Sequence, residues 1–334
     1  MPIHAYSAPR PGAALEPFTY EPGPLGTREV EVEISHCGIC YSDVSMIDNE
    51  WELSRFPLVP GHEVIGKIVA AGSAVHAMRI GQRVGIGWQS GSCGECEFCR
   101  RSRENLCASE RDLIVQHHGG FADRVRADTA FAIPIPDALE SAVAAPLFCA
   151  GTTVFTPILH HGVKAAMRTA VVGVGGLGHL AIQFLSKLGC EVTAVSRSRA
   201  KEKDARAFGA HYFLASSENG TIKKANRRFD FVICTAQADL PWEDYIGMLR
   251  PEGIFCIVGI PQSDLRFPAA ALIDREKKLV GGRTGSPADI STMLHFAVRN
   301  QIQAQIELFP MREVNKGLDR VRSGEACYRV VLEN

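Results

Sequence analysis

The chain lacks a surplus of either charge: 36 Lys and Arg stand against 37 Asp and Glu over 334 residues, a net charge of −1. So neutral a chain offers no electrostatic footprint for a phosphate backbone or an anionic lipid surface, and neither nucleic acid nor membrane is expected as a partner. A long hydrophobic run is missing too. No stretch approaches the roughly 20 apolar residues that a bilayer span needs. The opening, MPIHAYSAPRPG, has neither the basic flank nor the apolar core of a secretory signal. Cysteine, by contrast, is plentiful at 11. Without a signal peptide, that number points to a reducing cytoplasm and to metal chemistry.

Four of the cysteines sit together in CGECEFCRRSRENLC, as Cys93, Cys96, Cys99 and Cys107. The C-x2-C-x2-C-x7-C spacing lets four thiolates converge on one tetrahedral ion, and four sulfurs leave zinc no open position, so such a site is structural. Disulfides are compatible with the same spacing, but a cytosolic chain keeps its thiols reduced.

At 334 residues the chain exceeds what one hydrophobic core usually serves, and two domains are expected. The first half reads as short strands and turns. Residues 29–35, EVEVEIS, alternate with period two, and residues 63–71 and 79–86 resemble further strands broken by glycine, which together suggest a barrel-like domain. Near residue 150 the character changes. Apolar runs at 169–174, 191–196, 229–234 and 253–258 alternate with helix-length segments, the pattern of βαβ units and a parallel sheet. From about Pro287 one long helical stretch leads to a final strand at 328–332. The expected fold class is α/β, with a doubly wound parallel-sheet domain over 150–287 and a strand-rich domain over 1–149 to which 288–334 return.

Gly173-Val174-Gly175-Gly176-Leu177-Gly178 matches G-x-G-x-x-G after an apolar strand and before a helix. In that context the glycines let backbone approach a pyrophosphate, and the helix N-terminus supplies N–H donors and positive dipole. The bland alternative is a tight strand–helix turn with no ligand. An acid at the tip of the next strand would bind the ribose 2′-hydroxyl of NAD. Here that tip reads Ser196-Arg197-Ser198-Arg199-Ala200-Lys201, with no acid. Hydroxyls and cations suit a 2′-phosphate, so NADP(H) is expected, with a solvated basic loop as the alternative. A third constellation comprises Cys40-Tyr41-Ser42-Asp43, Gly61-His62-Glu63 and Cys149. Two thiolates and an imidazole make a three-ligand set that leaves zinc one open position, which is what catalysis needs.

Taken in order, GHE at 61–63, the four-cysteine loop, GVGGLG at 173–178 and PLFCAG at 146–151 resemble the zinc-dependent medium-chain alcohol dehydrogenases. More narrowly they resemble the cinnamyl-alcohol-dehydrogenase-like branch with its bacterial broad-specificity NADPH-dependent aldehyde reductases. The resemblance runs over essentially the whole chain. It implies a GroES-like, partly open barrel carrying two zinc ions, a Rossmann domain, and an active site in the cleft between them. Cys40, His62 and Cys149 would be the catalytic ligands, and Glu63 the carboxylate able to enter the coordination sphere. Ser42 would relay the proton, and Asp43 would orient His62. Thr153 and Leu177 would pack near the nicotinamide, Arg329 would hold the pyrophosphate, and Trp51 and Trp88 would line the substrate pocket. Cys37 rivals Cys40, and the C-x-S-D arrangement selects Cys40. Many relatives have histidine where this chain has Ser45, so the proton path past Ser42 is left open. The pairs His117-His118 and His160-His161 are expected to serve as hydrogen-bonding residues, and Cys190, Cys234 and Cys256 to lie in the core.

The implied reaction interconverts primary alcohols and aldehydes, aromatic or medium-chain, favouring aldehyde reduction, in a cytoplasmic homodimer or tetramer. The competing readings are a non-catalytic NADPH-binding member of the superfamily and an iminium or activated-alkene reductase.

Overall fold

The computed structural model describes residues 1–115 and 117–334, and the chain divides into two compact units: Met1–Thr152 with Gly285–Asn334, and Thr153–Thr284. The first unit is built around the strand Glu29–Ile39, which outruns the alternating segment that announces it. Its inward residues Val30, Val32 and Ile34 join Val64, Ile68, Phe121, Val330 and Leu332 in one core. Burying each such side chain contributes about 1.5–3 kcal/mol. The seven-stranded sheet runs in the order Ile306–Pro310, Arg329–Glu333, Glu29–Ile39, Glu63–Ala71, Arg83–Ile86, Ile133–Pro134, with Arg124–Asp128 also on Glu29–Ile39. Among the described residues its pairings are antiparallel except Ile306–Pro310 with Arg329–Glu333. Register shifts at Glu31/Val32 and Ile34/His36 bend the sheet and help it curl.

Two expectations need correcting. The strand read over 79–86 begins only at Arg83, because Gly81 at φ +81° places a left-handed turn before it. The helical stretch after Pro287 is two helices, Pro287–Asn300 and Val314–Arg322, separated by the strand Ile306–Pro310. The first helix starts on a capping box, Ser286 with Asp289, with proline at its first turn, and ends where Gln301 turns left-handed. The intervening strand is half-buried along most of its length and shows no alternation that would announce it.

The second unit holds a six-stranded parallel sheet in the order Tyr212–Ala215, Glu191–Ser196, Arg168–Val172, Phe229–Cys234, Leu249–Ile257, Lys278–Gly281. Numbered along the chain this is 3-2-1-4-5-6, the doubly wound order that binds dinucleotides at its reversal point. Ala170, Val171, Val192, Ala194, Val232 and Ile233 are wholly buried, as strands covered on both faces require. Cys190, Cys234 and Cys256 are buried in this unit as small apolar side chains.

Candidate metal and cofactor sites

Cys40 is the residue at which the strand Glu29–Ile39 becomes the helix Tyr41–Asp48, and it caps that helix in an extended conformation. His62 precedes the neighbouring strand Glu63–Ala71, and Cys149 follows the short turn Ala145–Phe148. These three meet: His62 Nε2 is 3.2 Å from Cys149 Sγ, and Cys149 Sγ is 3.8 Å from Cys40 Sγ. A Glu63 carboxylate oxygen completes a group whose ligand atoms all lie within 4.8 Å of one another, every residue buried. Ser42 Oγ lies 3.6 Å from Cys40 Sγ. Trp88 stands edge-on to the His62 ring with centroids 5.0 Å apart, and Trp51 packs against Trp88 at 6.2 Å. Cys37, the rival ligand, is buried and outside this group; its thiol points to the Gly38 carbonyl, and burial pushes its pKa well up.

Asp43 holds the set together. Its Oδ1 accepts from Gly61 N and from His62 Nδ1, and its Oδ2 from Cys40 N, each at 2.9 Å. The imidazole therefore carries its proton on Nδ1 and turns the Nε2 lone pair toward the two sulfurs, as metal-bound histidines do. An asparagine would fail here, because whichever way its amide turned, the NH2 end would face a buried N–H donor. Asp43→Asn is expected to lower zinc affinity and kcat/KM by about 10- to 100-fold, measured by metal titration and steady-state kinetics. Unchanged zinc affinity would remove Asp43 from this role.

Glu63 lies across the sheet from Gly38, its register partner. A Cβ at Gly38 would come within 1.9 Å of Glu63 Oε2, so only glycine leaves room for the carboxylate. Glu63 Oε1 accepts from the Arg329 guanidinium, while the buried Glu63 Oε2 has no hydrogen-bond partner among the described residues. Burial pushes the Glu63 pKa up and Arg329 pulls it back; burial lowers Arg329, but Glu63, Cys40 and Cys149 together raise it further. Arg329, implied by resemblance to hold the cofactor's pyrophosphate, thus meets Glu63 here, and its buried Nε has no partner among the described residues.

The protonation pattern fits a cation. The hydrogen bond from the Cys149 thiol pulls the Cys40 pKa well down and leaves Cys149 well up, while Asp43 and Cys40 outweigh burial and raise His62. A bound divalent ion replaces such protons, since coordination deprotonates thiols and needs neutral imidazole. Tetrahedral geometry at about 2.3 Å Zn–S sets sulfurs roughly 3.8 Å apart, which matches the Cys40–Cys149 separation. The residues present fit zinc.

The four-cysteine loop converges as well. Cys93–Cys99 is 3.8 Å, Cys96–Cys99 3.5 Å and Cys93–Cys107 3.5 Å between sulfurs, and the four form the other compact ligand group among the described residues. Backbone N–H groups of Glu95 and Cys96, with the Cys107 thiol, pull Cys93 down to about 6. No position in this group is left for a substrate.

In the second unit the strand Arg168–Val172 ends in the glycine turn and the helix Gly178–Lys187 follows. Gly173 takes φ +96° to make the turn. A Cβ at Gly178 would sit 1.9 Å from Gly173 O, so this glycine allows helix and strand to pack closely. A Cβ at Gly175 would meet nothing within 4 Å, which leaves its backbone open to a ligand. Close turn, open approach and tight packing are the three roles of glycine in a pyrophosphate-binding turn. Gly176 and Leu177 are half-buried beside it, and Thr153 is buried in the helix Ala150–His160. At the end of the neighbouring strand Ser196 is half-buried, and Arg197 and Ser198 are exposed.

His117 Nδ1 pairs with the His118 carbonyl and the His118 ring packs on Tyr20, so neither joins a ligand group. The sequence reading missed Gly38, whose only signal is its place between Cys37 and Cys40. It also missed Glu50, which accepts from Ser45 Oγ at 2.6 Å.

A dinucleotide bound on the parallel sheet would supply hydride, and the buried sulfur–imidazole set with an acid behind it would hold a metal able to polarise a carbonyl or alcohol oxygen. Together they define a zinc-type dehydrogenase. Family models agree: the alcohol dehydrogenase GroES-like domain matches residues 26–137, and the zinc-binding dehydrogenase matches residues 176–299. An aldehyde reductase, AdhA of Synechocystis, is 44% identical over 99% of both chains. A cinnamyl alcohol dehydrogenase of Sorghum bicolor superposes with a TM-score of 0.96 at 33% identity, covering 100% of this chain and 98% of that one. A cinnamyl alcohol dehydrogenase of Helicobacter pylori, complexed with NADP(H), gives 0.93 at 25% identity over 100% and 98%. The chain belongs to the zinc-dependent medium-chain alcohol dehydrogenases, in their cinnamyl-alcohol-dehydrogenase-like branch.

Proposed function

We propose that this protein is an NADP(H)-dependent aldehyde reductase that interconverts aldehydes and primary alcohols, aromatic or medium-chain, and favours reduction. The carrying observation is the buried Cys40–His62–Cys149 set, with Asp43 fixing the imidazole and Glu63 alongside. Zinc held by these three residues supplies Lewis acidity toward a carbonyl oxygen, and NADPH supplies the hydride. Cys93, Cys96, Cys99 and Cys107 would hold the second, structural zinc.

The chain's own groups supply the rest. Asp43 keeps His62 in one tautomer and one orientation, so the site needs no reorganisation when charge develops on the oxygen. Ser42 Oγ, beside the Cys40 sulfur, is placed to donate the proton that the alcohol gains. Trp51 and Trp88 form a broad apolar wall suited to aromatic or chain-like aldehydes and exclude water from the His62 ring. One turn along the helix from Ser42, the Ser45 hydroxyl donates to Glu50, an exposed carboxylate that meets solvent. A retained ligand set and Ser42 favour this reading over a non-catalytic binder or an iminium reductase, neither of which requires both.

Cofactor choice rests on Ser196, Arg197, Ser198 and Lys201, with the Gly173–Gly178 turn for the pyrophosphate. A charge-assisted hydrogen bond contributes roughly 1.5–3 kcal/mol, about one to two powers of ten, before salt screening reduces it. With benzaldehyde, kcat/KM for NADPH should exceed that for NADH by at least about tenfold. Ser196→Asp with Arg197→Ala should erase or reverse the preference. Equal efficiency in the unmutated enzyme would overturn it. Activity that survives complete zinc removal would overturn the reaction itself.

We further infer a cytoplasmic homo-oligomer, a dimer or a tetramer. Family resemblance supports the assembly, and the abundance of thiols supports the compartment. Light scattering reads the first and cell fractionation the second.

A further inference from the structure

The cations at the end of the strand Glu191–Ser196 are not equivalent. Arg197 is exposed and forms no ion pair among the described residues. Arg199, two residues on, is fully engaged. Its Nε and Nη2 donate to the two oxygens of Glu218 at 2.6 and 3.2 Å, and its Nη1 donates to Glu202 at 2.8 Å. Arg206 holds the other oxygen of Glu202, through Nη2 at 2.8 Å and Nε at 3.1 Å, and donates to the His211 carbonyl. A forked guanidinium–carboxylate pair is directional, so this network fixes the turn Arg199–Lys201 as well as neutralising it.

Glu218 stands close to the residues that would read the cofactor. Ser216 N donates to the Ser196 carbonyl at 2.8 Å, and Ser217 N to the Arg197 carbonyl at 3.1 Å. The next residue in the chain is Glu218. A loose carboxylate there would repel a 2′-phosphate, or would capture Arg197 and remove the cation the phosphate needs. The sequence run carries no acid between Ser196 and Lys201, yet the fold brings one in from the next strand's loop.

We propose that Arg199 is a positioning residue for cofactor choice: by clamping Glu218 and Glu202 it keeps their carboxylates off the 2′-phosphate site and leaves Arg197 to face it. This rests on the NADP(H) reading above. That reading fails separately, on the unmutated enzyme, if NADPH and NADH are used equally well.

The test uses the full-length, zinc-loaded enzyme with benzaldehyde, and KM and kcat measured for each cofactor. In Arg199→Gln the KM for NADPH should rise about tenfold, with kcat and the KM for NADH within about twofold. Adding Glu218→Gln should recover most of the NADPH affinity, because the exposed carboxylate is then gone. Arg199→Lys should fall between, since an ammonium keeps the charge but not the fork. The inference is overturned if Arg199→Gln leaves the NADPH KM within about twofold, or raises both KM values together as general loosening would. It is also overturned if the double variant is as impaired as Arg199→Gln, because Arg199 would then be touching the phosphate itself.

Discussion

Cys40→Ser should abolish turnover and leave the protein folded. A serine hydroxyl cannot replace a thiolate as a zinc ligand at neutral pH, so zinc content should fall from about two per chain to about one. Lewis-acid stabilisation amounts to several kcal/mol, and at about 1.4 kcal/mol per tenfold the loss in kcat/KM should be at least about 1,000-fold. NADPH binding, read by fluorescence, should survive, because the glycine turn and the Ser196 tip belong to the other compact unit. Cys37→Ser is the control. Its thiol is buried, points to the Gly38 carbonyl and lies outside the ligand group. Activity lost in Cys37→Ser and kept in Cys40→Ser would reverse the assignment.

Cys99→Ser should do the opposite, sparing the chemistry and weakening the fold. Cys99 is buried and sits 3.8 Å from the Cys93 sulfur and 3.5 Å from that of Cys96. Without metal the loop 93–107 loses the bonds that tie its ligands to one ion, and metal binding there is folding free energy. Loss of a structural metal belongs to the mutations that destabilise by roughly 4 kcal/mol or more. For a unit of this size that corresponds to a drop in Tm of about 10 °C, measured by calorimetry. Zinc should again fall to about one per chain, with kcat at 20 °C retained in freshly prepared protein. A stable, one-zinc variant with unchanged Tm would show that this ion is dispensable to the fold.

What the sequence discloses depends on whether a feature is local. The four-thiolate set is legible because metal ligation depends on residue type and Cys93 to Cys107 span one short loop; Cys40, His62 and Cys149, spread over 109 residues, are assigned through the family resemblance. The glycine turn is legible because each glycine has its own steric task within six residues. Parallel strands read as continuous apolar runs because both faces are covered. By contrast, the interactions that tune the sites connect distant segments. Arg329 reaches Glu63 across 266 residues, Gly38 faces Glu63 only through strand register, and Glu218 meets Arg199 through a neighbouring strand's loop. No local pattern encodes those pairings. The strand Ile306–Pro310 stayed hidden for a related reason: an edge strand buries neither face fully, so it lacks the alternation that reveals the strand Glu29–Ile39.

The place of Arg329–Glu333 in its sheet bears on how the protein is made. This strand is hydrogen-bonded to Glu29–Ile39, pairing Val330 with Ile39, although 291 residues separate those two. A ribosome adding about 5–20 residues per second needs on the order of 15–60 s between them. During that time the N-terminal strands have been synthesised but one of their edges has no partner, and Glu63 has no arginine to neutralise it. The parallel-sheet unit is a continuous segment, Thr153–Thr284, and has all of its strands before synthesis of the other unit ends. Vectorial synthesis therefore lets the parallel-sheet unit form first, and the buried Glu63 gains its arginine only after the strand Arg329–Glu333 emerges.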